Sequence, residues 1–323
     1  MINEFFYYNS NLKIGDETFK SLDWNHSSFK KNEIYGIGHS YCHHGEILQG
    51  EFYSDKHKLY VYGLCTLKCD IYYSKTKFFG IKNNKLNVYP QNKTKAREAV
   101  GNLLQHLNIN LGGDLFIDSN IKPKVGFGSS TADVLSSILS VLNYLSIDLD
   151  ERDIARLAVK SEIASDSIMF NEEVLFAQRK GLILDKYKKN IPPIHVLGFS
   201  DPYNKGYCTV KMKPIKYSSS ERKKFDVLRM NLRDAIASQN AHLLGNVSTE
   251  SALINQNYYE KKNIDKILGI MEDVKSVGLQ ISHSGNLLGL IWEYSTPFIG
   301  EKIESAKNQL RSLDIKSFWE FTK

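Results

Sequence analysis

The chain has 323 residues, of which 42% are hydrophobic and 24% are charged, a composition typical of a soluble globular protein with one large domain or two ordinary ones. The formal net charge is only +6 and the lysines are dispersed among acidic residues, so a nucleic-acid partner is not expected. A mild positive charge suits an anionic small ligand equally well.

The cysteine count and the N-terminus bear on where the protein works. Four cysteines are too few for a disulfide framework, which favours a reducing compartment. The first residues lack the pattern of a signal peptide, and no apolar run approaches the ~20 residues that cross a bilayer. We therefore expect a cytoplasmic protein with no membrane partner.

Alternation of apolar and polar residues predicts the elements of the first half. Residues 1–33 show no clear period and are interpreted as an irregular arm or a peripheral strand. Short strands are predicted at residues 59–62, 69–73, 78–81 and 86–89, a helix after Pro90, a strand at residues 115–117, and a later helix that begins near Asp150.

A break at residues 190–193 precedes a well-patterned strand at residues 194–199, and we place a domain boundary there. The predicted domains are residues 1–190 and 191–323. The second is expected to hold two strands, two or three helices between Ser218 and Ser276, a strand pair at 278–282 and 287–292, a helix from Pro297 and a last strand around 318–319. Strands and helices alternate without a strict β-α-β repeat, which favours an α+β fold with mixed sheets.

The most informative stretch is Gly126-Phe127-Gly128-Ser129-Ser130-Thr131-Ala132-Asp133, because an apolar helix begins directly behind it. The two glycines free the backbone to lie close to a ligand, and Ser129 or Ser130 can cap the first turn. The N–H groups of a helix N-terminus bind anions, most often phosphate. Taken alone, the octet is equally typical of a serine-capped core helix after a glycine turn.

Two carboxylates, Glu162 and Asp166, lie four residues apart. At this spacing they share one helical face, or one lies at the end of a helix and the other just beyond it. Two negative charges this close repel each other, so a bound cation or a catalytic role is the expected reason for keeping both. Phosphoryl transfer requires an oxygen ligand for Mg²⁺ and an acid that orients or deprotonates the attacking hydroxyl. A solvated acidic face beside Lys160 is the alternative explanation.

The segment at residues 36–50 holds three histidines, a cysteine and a glutamate between glycines. A zinc site completed by Cys65 and Cys69 is not favoured, because no Cys-x-x-Cys pair occurs and the adjacent His43 and His44 seldom both reach one ion. We interpret this segment as a polar strand-turn that lines a small-molecule pocket.

A second turn, Ser282-His283-Ser284-Gly285, joins two apolar strands and offers further hydrogen-bond donors. Taken alone, it is more typical of a hairpin than of a site. A serine hydrolase is not expected, because none of Ser129, Ser130 and Ser284 stands in a Gly-x-Ser-x-Gly elbow.

Together these segments resemble the GHMP small-molecule kinases, and within that superfamily the L-threonine kinase branch associated with cobalamin synthesis and propanediol use. Residues 45–50, Gly-Glu-Ile-Leu-Gln-Gly, are similar to that branch's Gly-Glu-Leu-x-Gln-Gly. Residues 126–133 are similar to the phosphate loop Gly-x-Gly-Ser-Ser-Thr-Ala-Asp, and residues 282–285 lie where the third motif is expected. Weaker similarities are Lys95-Ala96-Arg97, Glu162 with Asp166, and residues 248–252.

The resemblance implies an N-terminal ATP-binding domain with a left-handed β-α-β unit, a C-terminal ferredoxin-like domain and an active site between them. It implies that Ser130 and Glu162 hold Mg²⁺, and that Asp166 accepts or orients the proton of the substrate hydroxyl. The residues implied to bind ATP are Gly126, Phe127, Gly128, Ser129, Ser130 and Thr131. Those implied to lie near the acceptor are Glu46, His43, His44, Gln49, Ser282, His283, Ser284 and Gly285.

Two of the chain's departures from the branch concern the acceptor and the γ-phosphate. Tyr41-Cys42-His43-His44 stands where Pro-x-Ser-Cys is usual, and Lys122-Pro123-Lys124-Val125 precedes Gly126 where glycine and lysine are common. The identity of the acceptor, and of any lysine that meets the γ-phosphate, therefore stays open.

The expected function is ATP-dependent phosphorylation of a small polar metabolite, first of all the hydroxyl of an amino-acid-like acceptor, and a homodimer is allowed for. One alternative is a protein of the same fold that binds nucleotide or ligand without transferring phosphate. The other is a metal enzyme built on His39, Cys42, His43 and His44.

Overall fold

The computed structural model describes residues 34–203, 215–283 and 285–323. The strands in these ranges are β1 (Gly36–Ser54), β2 (Leu59–Ile81), β3 (Leu86–Tyr89), β4 (Gly112–Ser119), β5 (Val174–Ala177), β6 (Leu182–Lys186), β7 (Ile194–Ser200), β8 (Gly278–Ile281), β9 (Leu287–Glu293) and β10 (Phe318–Thr322). They form one sheet of order β10-β7-β9-β8-β1-β2-β4-β3, and β5 pairs with both β2 and β6. In this sheet β3 and β4 are parallel, and the helix between them makes the crossover.

The helices in the described ranges pack on this sheet in three groups. α1 (Thr94–His106), α2 (Ser129–Leu145) and α3 (Glu151–Glu162) share a core with β2 and β4. α4 (Ser219–Ser238) and α5 (Ala241–Gln256) pack on β1. α6 (Ile264–Asp273) and α7 (Ile299–Arg311) cover β7, β8 and β9.

The position of α2 depends on two glycines in β1. A Cβ atom at Gly36 would lie 2.0 Å from the carbonyl oxygen of Ser140, and one at Gly38 would lie 1.9 Å from that of Ser136. The helix therefore rests directly on the strand backbone. Beside it, the hydroxyls of Thr76 and Ser136 are 2.8 Å apart, so the polar side chains of this buried face are paired with each other. This close packing fixes where the N-terminus of α2 points.

Most predicted elements are present, and the α+β fold is confirmed. Two predictions were wrong. The separate strands predicted between residues 59 and 81 are one strand of 23 residues, β2, and the predicted strand-turn at residues 36–50 lies within β1, a strand of 19 residues. The predictions for residues 1–33, and any strand at residues 204–214, fall outside the described residues.

The two halves of the sheet meet where β1 pairs with β8. The pairing consists of a single position, Glu46 opposite Ile281. The domain boundary near residue 190 stays a prediction, as does the handedness of the β3-α1-β4 crossover. In the described ranges, no helix combines the length and the apolar character needed to span a bilayer.

Candidate active site

The glycine loop leads directly into α2. Gly128 precedes the first helical turn in a left-handed conformation (φ 69°), which residues with side chains rarely adopt. In the described structure no side chain caps this helix end, so the predicted capping by Ser129 or Ser130 was wrong, and the first N–H groups are left for a ligand. Gly126, Gly128, Ser129 and Ser130 are all partly exposed. The loop is therefore accessible to a ligand and is not sealed in the core.

The turn after β8 lies in direct contact with this loop. A Cβ atom at Gly126 would lie 3.0 Å from the Cβ of Ser282, and one at Gly285 would lie 2.4 Å from the Cα of Gly126. The backbone N–H of Asn286 donates to the carbonyl of Val125 at 2.9 Å. The structure thus brings together two predicted segments that are about 150 residues apart in the sequence.

Ser130 and Glu162 form a partly buried hydrogen bond at the start of α2. The hydroxyl of Ser130 donates to Glu162 Oε1, and Lys95 Nζ lies 3.9 Å from the same oxygen. Burial raises the pKa of Glu162 to about 7, although the hydrogen bond from Ser130 and the charge of Lys95 oppose it. The other oxygen, Oε2, is buried without a hydrogen-bond partner among the described residues. Such an oxygen suits a hard divalent cation.

Asp166 lies just beyond α3, as the spacing from Glu162 allowed. Its Oδ2 is 3.0 Å from Nε2 of His43 and accepts from the hydroxyl of Thr131 at 3.2 Å. Burial acts to raise the pKa of Asp166, but the charge and hydrogen bond of His43 outweigh it and lower that pKa to about 2. Burial likewise acts to lower the pKa of His43, and the charge of Asp166 raises it to about 9. The two groups are therefore a carboxylate and an imidazolium at neutral pH.

Glu46 lies at the seam of the sheet, beside the second turn. Its Oε2 accepts from the backbone N–H of His283 at 2.8 Å, and its Oε1 is 3.5 Å from Nδ1 of the same residue. The ring of Tyr62 lies 6.4 Å from that of His283. Glu46, His283 and His43 thus lie near Asp166. This proximity is what we expect of residues predicted to contact the same acceptor.

Two predicted residues, His44 and Phe127, are placed differently. The ring of His44 is fully buried against Phe127 and Phe321, and its Nδ1 is 2.6 Å from Oε1 of Gln280. Burial lowers the pKa of His44 to about 3, so it is neutral. The ring of Phe127 is also in the core, which leaves only its backbone N–H to meet a ligand. The geometry favours packing roles for both side chains.

Gln49 links β1 to helix α5. Its side chain accepts from the hydroxyl of Tyr62 at 3.1 Å, its backbone N–H donates to Ser251, and its carbonyl accepts from Asn255. Among the described residues, this network approaches His283 through the ring of Tyr62. Ser282 uses its hydroxyl within its own turn, where it accepts from the N–H of Leu287 at 3.1 Å. Ser284 falls outside the described residues.

The predicted alternative of a metal enzyme on residues 39–44 has no geometric support. The ring of His39 packs edge-on against Tyr41 and stacks on Tyr73, and burial lowers its pKa to about 4. In the described ranges, the group of side chains whose ligand atoms lie within 4.8 Å of one another is His43, Glu46 and Asp166. In that group the imidazole is already paired with the carboxylate of Asp166.

A cavity of about 230 Å³ opens beside the N-terminal end of α1. Tyr89 at its edge stacks on Phe116 with the rings 4.9 Å apart. From the same helix end, Lys95 extends to Glu162, so the cavity and the phosphate-type loop are linked through one short segment. The lining residues are Asn87, Val88, Tyr89, Gln91 and Arg97.

Comparison with known proteins agrees with this arrangement. The sequence profile of the GHMP kinases N-terminal domain matches residues 94–170, the stretch that contains the glycine loop, Glu162 and Asp166. In this region the chain is similar to the GHMP kinases. This similarity, together with the similarity to curated kinases, supports a phosphotransferase.

Two curated relatives are L-threonine kinases. The enzyme of Citrobacter freundii is 29% identical over 202 residues, which cover 61% of this chain and 69% of the relative. That of Salmonella typhimurium is 27% identical over 180 residues, covering 54% of this chain and 58% of the relative. The second alignment thus spans less than two thirds of the relative's length.

Solved structures of GHMP kinases share the fold along most of the chain. The homoserine kinase of Cytophaga hutchinsonii superposes with a TM-score of 0.67 at 12% identity, over 91% of this chain and 96% of that one. The mevalonate kinase of Staphylococcus aureus superposes with a TM-score of 0.57 at 14% identity, over 89% and 98% of the two chains. At such identities the likeness establishes the fold alone.

Proposed function

We propose that this chain is a GHMP kinase that transfers the γ-phosphate of ATP to the hydroxyl of a small amino-acid-like acceptor, with L-threonine as the first candidate. One observation supports the proposal above all. The uncapped N-terminus of α2, the Ser130–Glu162 pair and the ionised Asp166 lie together. They offer the N–H groups that bind phosphate, the cation ligands and the base that the reaction needs.

The nucleotide would lie along the start of α2. Its phosphates would accept from the N–H groups of residues 126–131, where the helix dipole favours negative charge. Its base would enter the cavity beside Tyr89, whose ring offers a stacking face. Lys95, partly exposed beside Glu162, is the described lysine best placed to meet the γ-phosphate.

Ser130 and Glu162 fit a Mg²⁺ ion, because both offer oxygens and Oε2 of Glu162 is buried without a hydrogen-bond partner in the described ranges. When bound, the ion neutralises charge on the phosphates. Ser130 and Glu162 would give up their mutual hydrogen bond in order to hold it. Since Glu162 has a pKa near 7, part of the population is protonated at neutral pH without the ion.

Asp166 would accept the proton of the acceptor hydroxyl as that oxygen attacks the phosphorus. His43 would keep Asp166 ionised and hold its carboxylate in place, while Thr131 fixes the same oxygen from α2. Base assistance of this kind contributes roughly 10²–10⁴-fold to a rate. His43 therefore acts in this scheme on Asp166 rather than as the substrate contact that its place in the motif suggested.

The acceptor would lie between Asp166 and Glu46. A buried carboxylate at the seam of the sheet suits the ammonium group of an amino acid, and its Oε1 is without a hydrogen-bond partner in the described structure. The two L-threonine kinase relatives support an acceptor of that class.

The test is ADP formation by the purified protein with ATP and Mg²⁺ against a panel of L-threonine, L-serine, L-homoserine, their decarboxylated amines, simple sugars and mevalonate. We expect turnover above the ATPase background with at least one hydroxy amino acid or amine. Calorimetry with a non-hydrolysable ATP analogue is run in parallel. Nucleotide binding without turnover on any acceptor would contradict the proposal and favour the alternative of a binding protein.

A further inference from the structure

Lys261 lies in the loop between α5 and α6, and its side chain is only 1% exposed. Its Nζ donates to the carbonyl of Gly285 at 2.6 Å. Lys262, the next residue, is exposed. A buried ammonium is costly unless nearby groups compensate it, so its place beneath the turn calls for an explanation.

The backbone of Lys261 is held as firmly as its side chain. The N–H of Lys261 donates to Oε1 of Gln256 at 2.9 Å, and its carbonyl accepts from Nε2 of the same side chain at 2.8 Å. Gln256 is the last residue of α5. The end of α5 therefore fixes the backbone from which the Lys261 side chain reaches Gly285.

Two acidic residues favour the charged form of this lysine. Burial lowers the pKa of Lys261 to about 8, and the charges of Glu46 and Asp201 oppose that shift. Asp201 is tied to the same turn, because its N–H donates to the carbonyl of Asn286 at 3.1 Å. Lys261 thus lies under a turn that is held from several sides.

That turn contacts both halves of the site. Gly285 packs on Val125 and Gly126 of the phosphate-type loop, and His283 donates its N–H to Glu46 on the acceptor side. A displacement of the turn would therefore move both the phosphate-type loop, which is proposed to bind the nucleotide, and Glu46, which is proposed to bind the acceptor.

We infer that Lys261 is a positioning residue that fixes the second glycine turn, residues 282–285, against the phosphate-type loop, so that nucleotide and acceptor are aligned for transfer. The inference rests on the proposed kinase function for its kinetic consequence. Its structural consequence, coupling between the two loops, does not depend on activity.

The test compares Lys261→Met with Lys262→Met. Methionine keeps most of the buried volume and removes the ammonium, so a change of only a few degrees in the unfolding midpoint is expected. Hydrogen–deuterium exchange of the peptides covering residues 122–131 and 278–287 is expected to rise several-fold in Lys261→Met and to stay at the wild-type level in Lys262→Met. On the best acceptor, kcat is expected to fall about 10- to 100-fold with a smaller change in either KM, because misalignment acts mainly on the transfer step.

A second variant covers the case in which Lys261→Met does not fold. Gln256→Ala retains the ammonium and releases the loop that carries it, so a smaller rise in exchange of the same two peptides is expected. Wild-type exchange in both peptides, in whichever variant folds, would overturn the inference. If the wild-type protein shows no kinase activity with any acceptor, the proposed function fails and the exchange result still decides on the coupling.

Discussion

His43 and Asp166 form a buried ion pair, with Nε2 of the imidazole 3.0 Å from Oδ2 of the carboxylate, although 122 positions separate them in the sequence. The backbone N–H of His43 also donates to the carbonyl of Phe127, so the pair is tied to the glycine loop. The imidazolium lowers the pKa of Asp166 against the effect of burial, which keeps a buried carboxylate ionised at neutral pH.

The pair gives the protein a specific dependence of stability on pH. The pKa of His43 is about 9 in the folded protein and about 6.5 in an unfolded chain. Its protonation therefore stabilises the fold fully below about pH 6.5, and this contribution is lost as the pH rises through about 9. We expect the free energy of unfolding to fall over that range, and to fall less in His43→Gln. Urea denaturation at several pH values measures both slopes.

The exposed His57 provides the control for that experiment. His57→Gln should keep the wild-type slope. Identical slopes in the wild type and in His43→Gln would show that the imidazole does not carry a raised pKa, and the pairing with Asp166 would then be wrong.

Gly128 cannot accept a side chain without disturbing this pair. Its φ is 69°, and an added Cβ would lie 2.3 Å from Cδ2 of His43 and 3.2 Å from Oδ2 of Asp166. We expect Gly128→Ala to lower the unfolding midpoint and to abolish turnover. Gly269→Ala is the matched control, because an added Cβ there meets nothing within 4 Å and alanine favours the helix by roughly 1 kcal/mol. A fully active Gly128→Ala would count against the loop geometry.

Lys95 should matter for nucleotide rather than for acceptor. Its ammonium lies 3.9 Å from Glu162 and is partly exposed, as a phosphate ligand beside the cation site should be. We expect Lys95→Met to raise the KM for ATP about 10-fold or more, since a hydrogen bond to a charged group contributes roughly 1.5–3 kcal/mol. Lys160→Met, at an exposed position on α3, should leave KM unchanged. Equal KM values for both variants would exclude Lys95 from the nucleotide site.

Local signals in the sequence predicted much of the fold. The apolar spacing after Asp150 predicted a helix that begins near this residue, and α3 runs from Glu151 to Glu162 with Asp150 as its N-cap. The spacing of Glu162 and Asp166 left two arrangements open, and the structure shows the one in which Asp166 lies just beyond the helix. The glycine loop could be located from local sequence as well. Gly126 and Gly128 both have a positive φ, and glycine is the residue type that adopts this conformation without strain.

The arrangement of the acceptor side could not be predicted from the sequence in the same way. Strict alternation along β1 would place His43 and Glu46 on opposite faces, yet both lie near Asp166. The register of β1 with β2 shifts on either side of His43 and again after Glu46, and these irregularities redirect the side chains. The sequence also gives no reason to assign His43 rather than His44 to the site. His44 is buried because its ring packs against Phe127 and Phe321, and these contacts are seen only in the folded structure.

The burial of Lys261 could not be predicted from the sequence, for a different reason. It stands between Glu260 and Lys262 in a polar loop, where a solvated charge is the ordinary expectation. Its burial follows from the meeting of α5 with the turn after β8, a contact between distant segments that leaves no local pattern in the sequence.

The most direct test of the account is the turnover number of Asp166→Asn on the best acceptor, measured beside Asp148→Asn, in which the exposed Asp148 undergoes the same chemical change. If Asp166 takes the proton from the attacking hydroxyl, kcat should fall roughly 10²–10⁴-fold in the first variant and stay at the wild-type level in the second. Full turnover by a folded Asp166→Asn protein would contradict the assignment of the base and, with it, the proposed chemistry of the site.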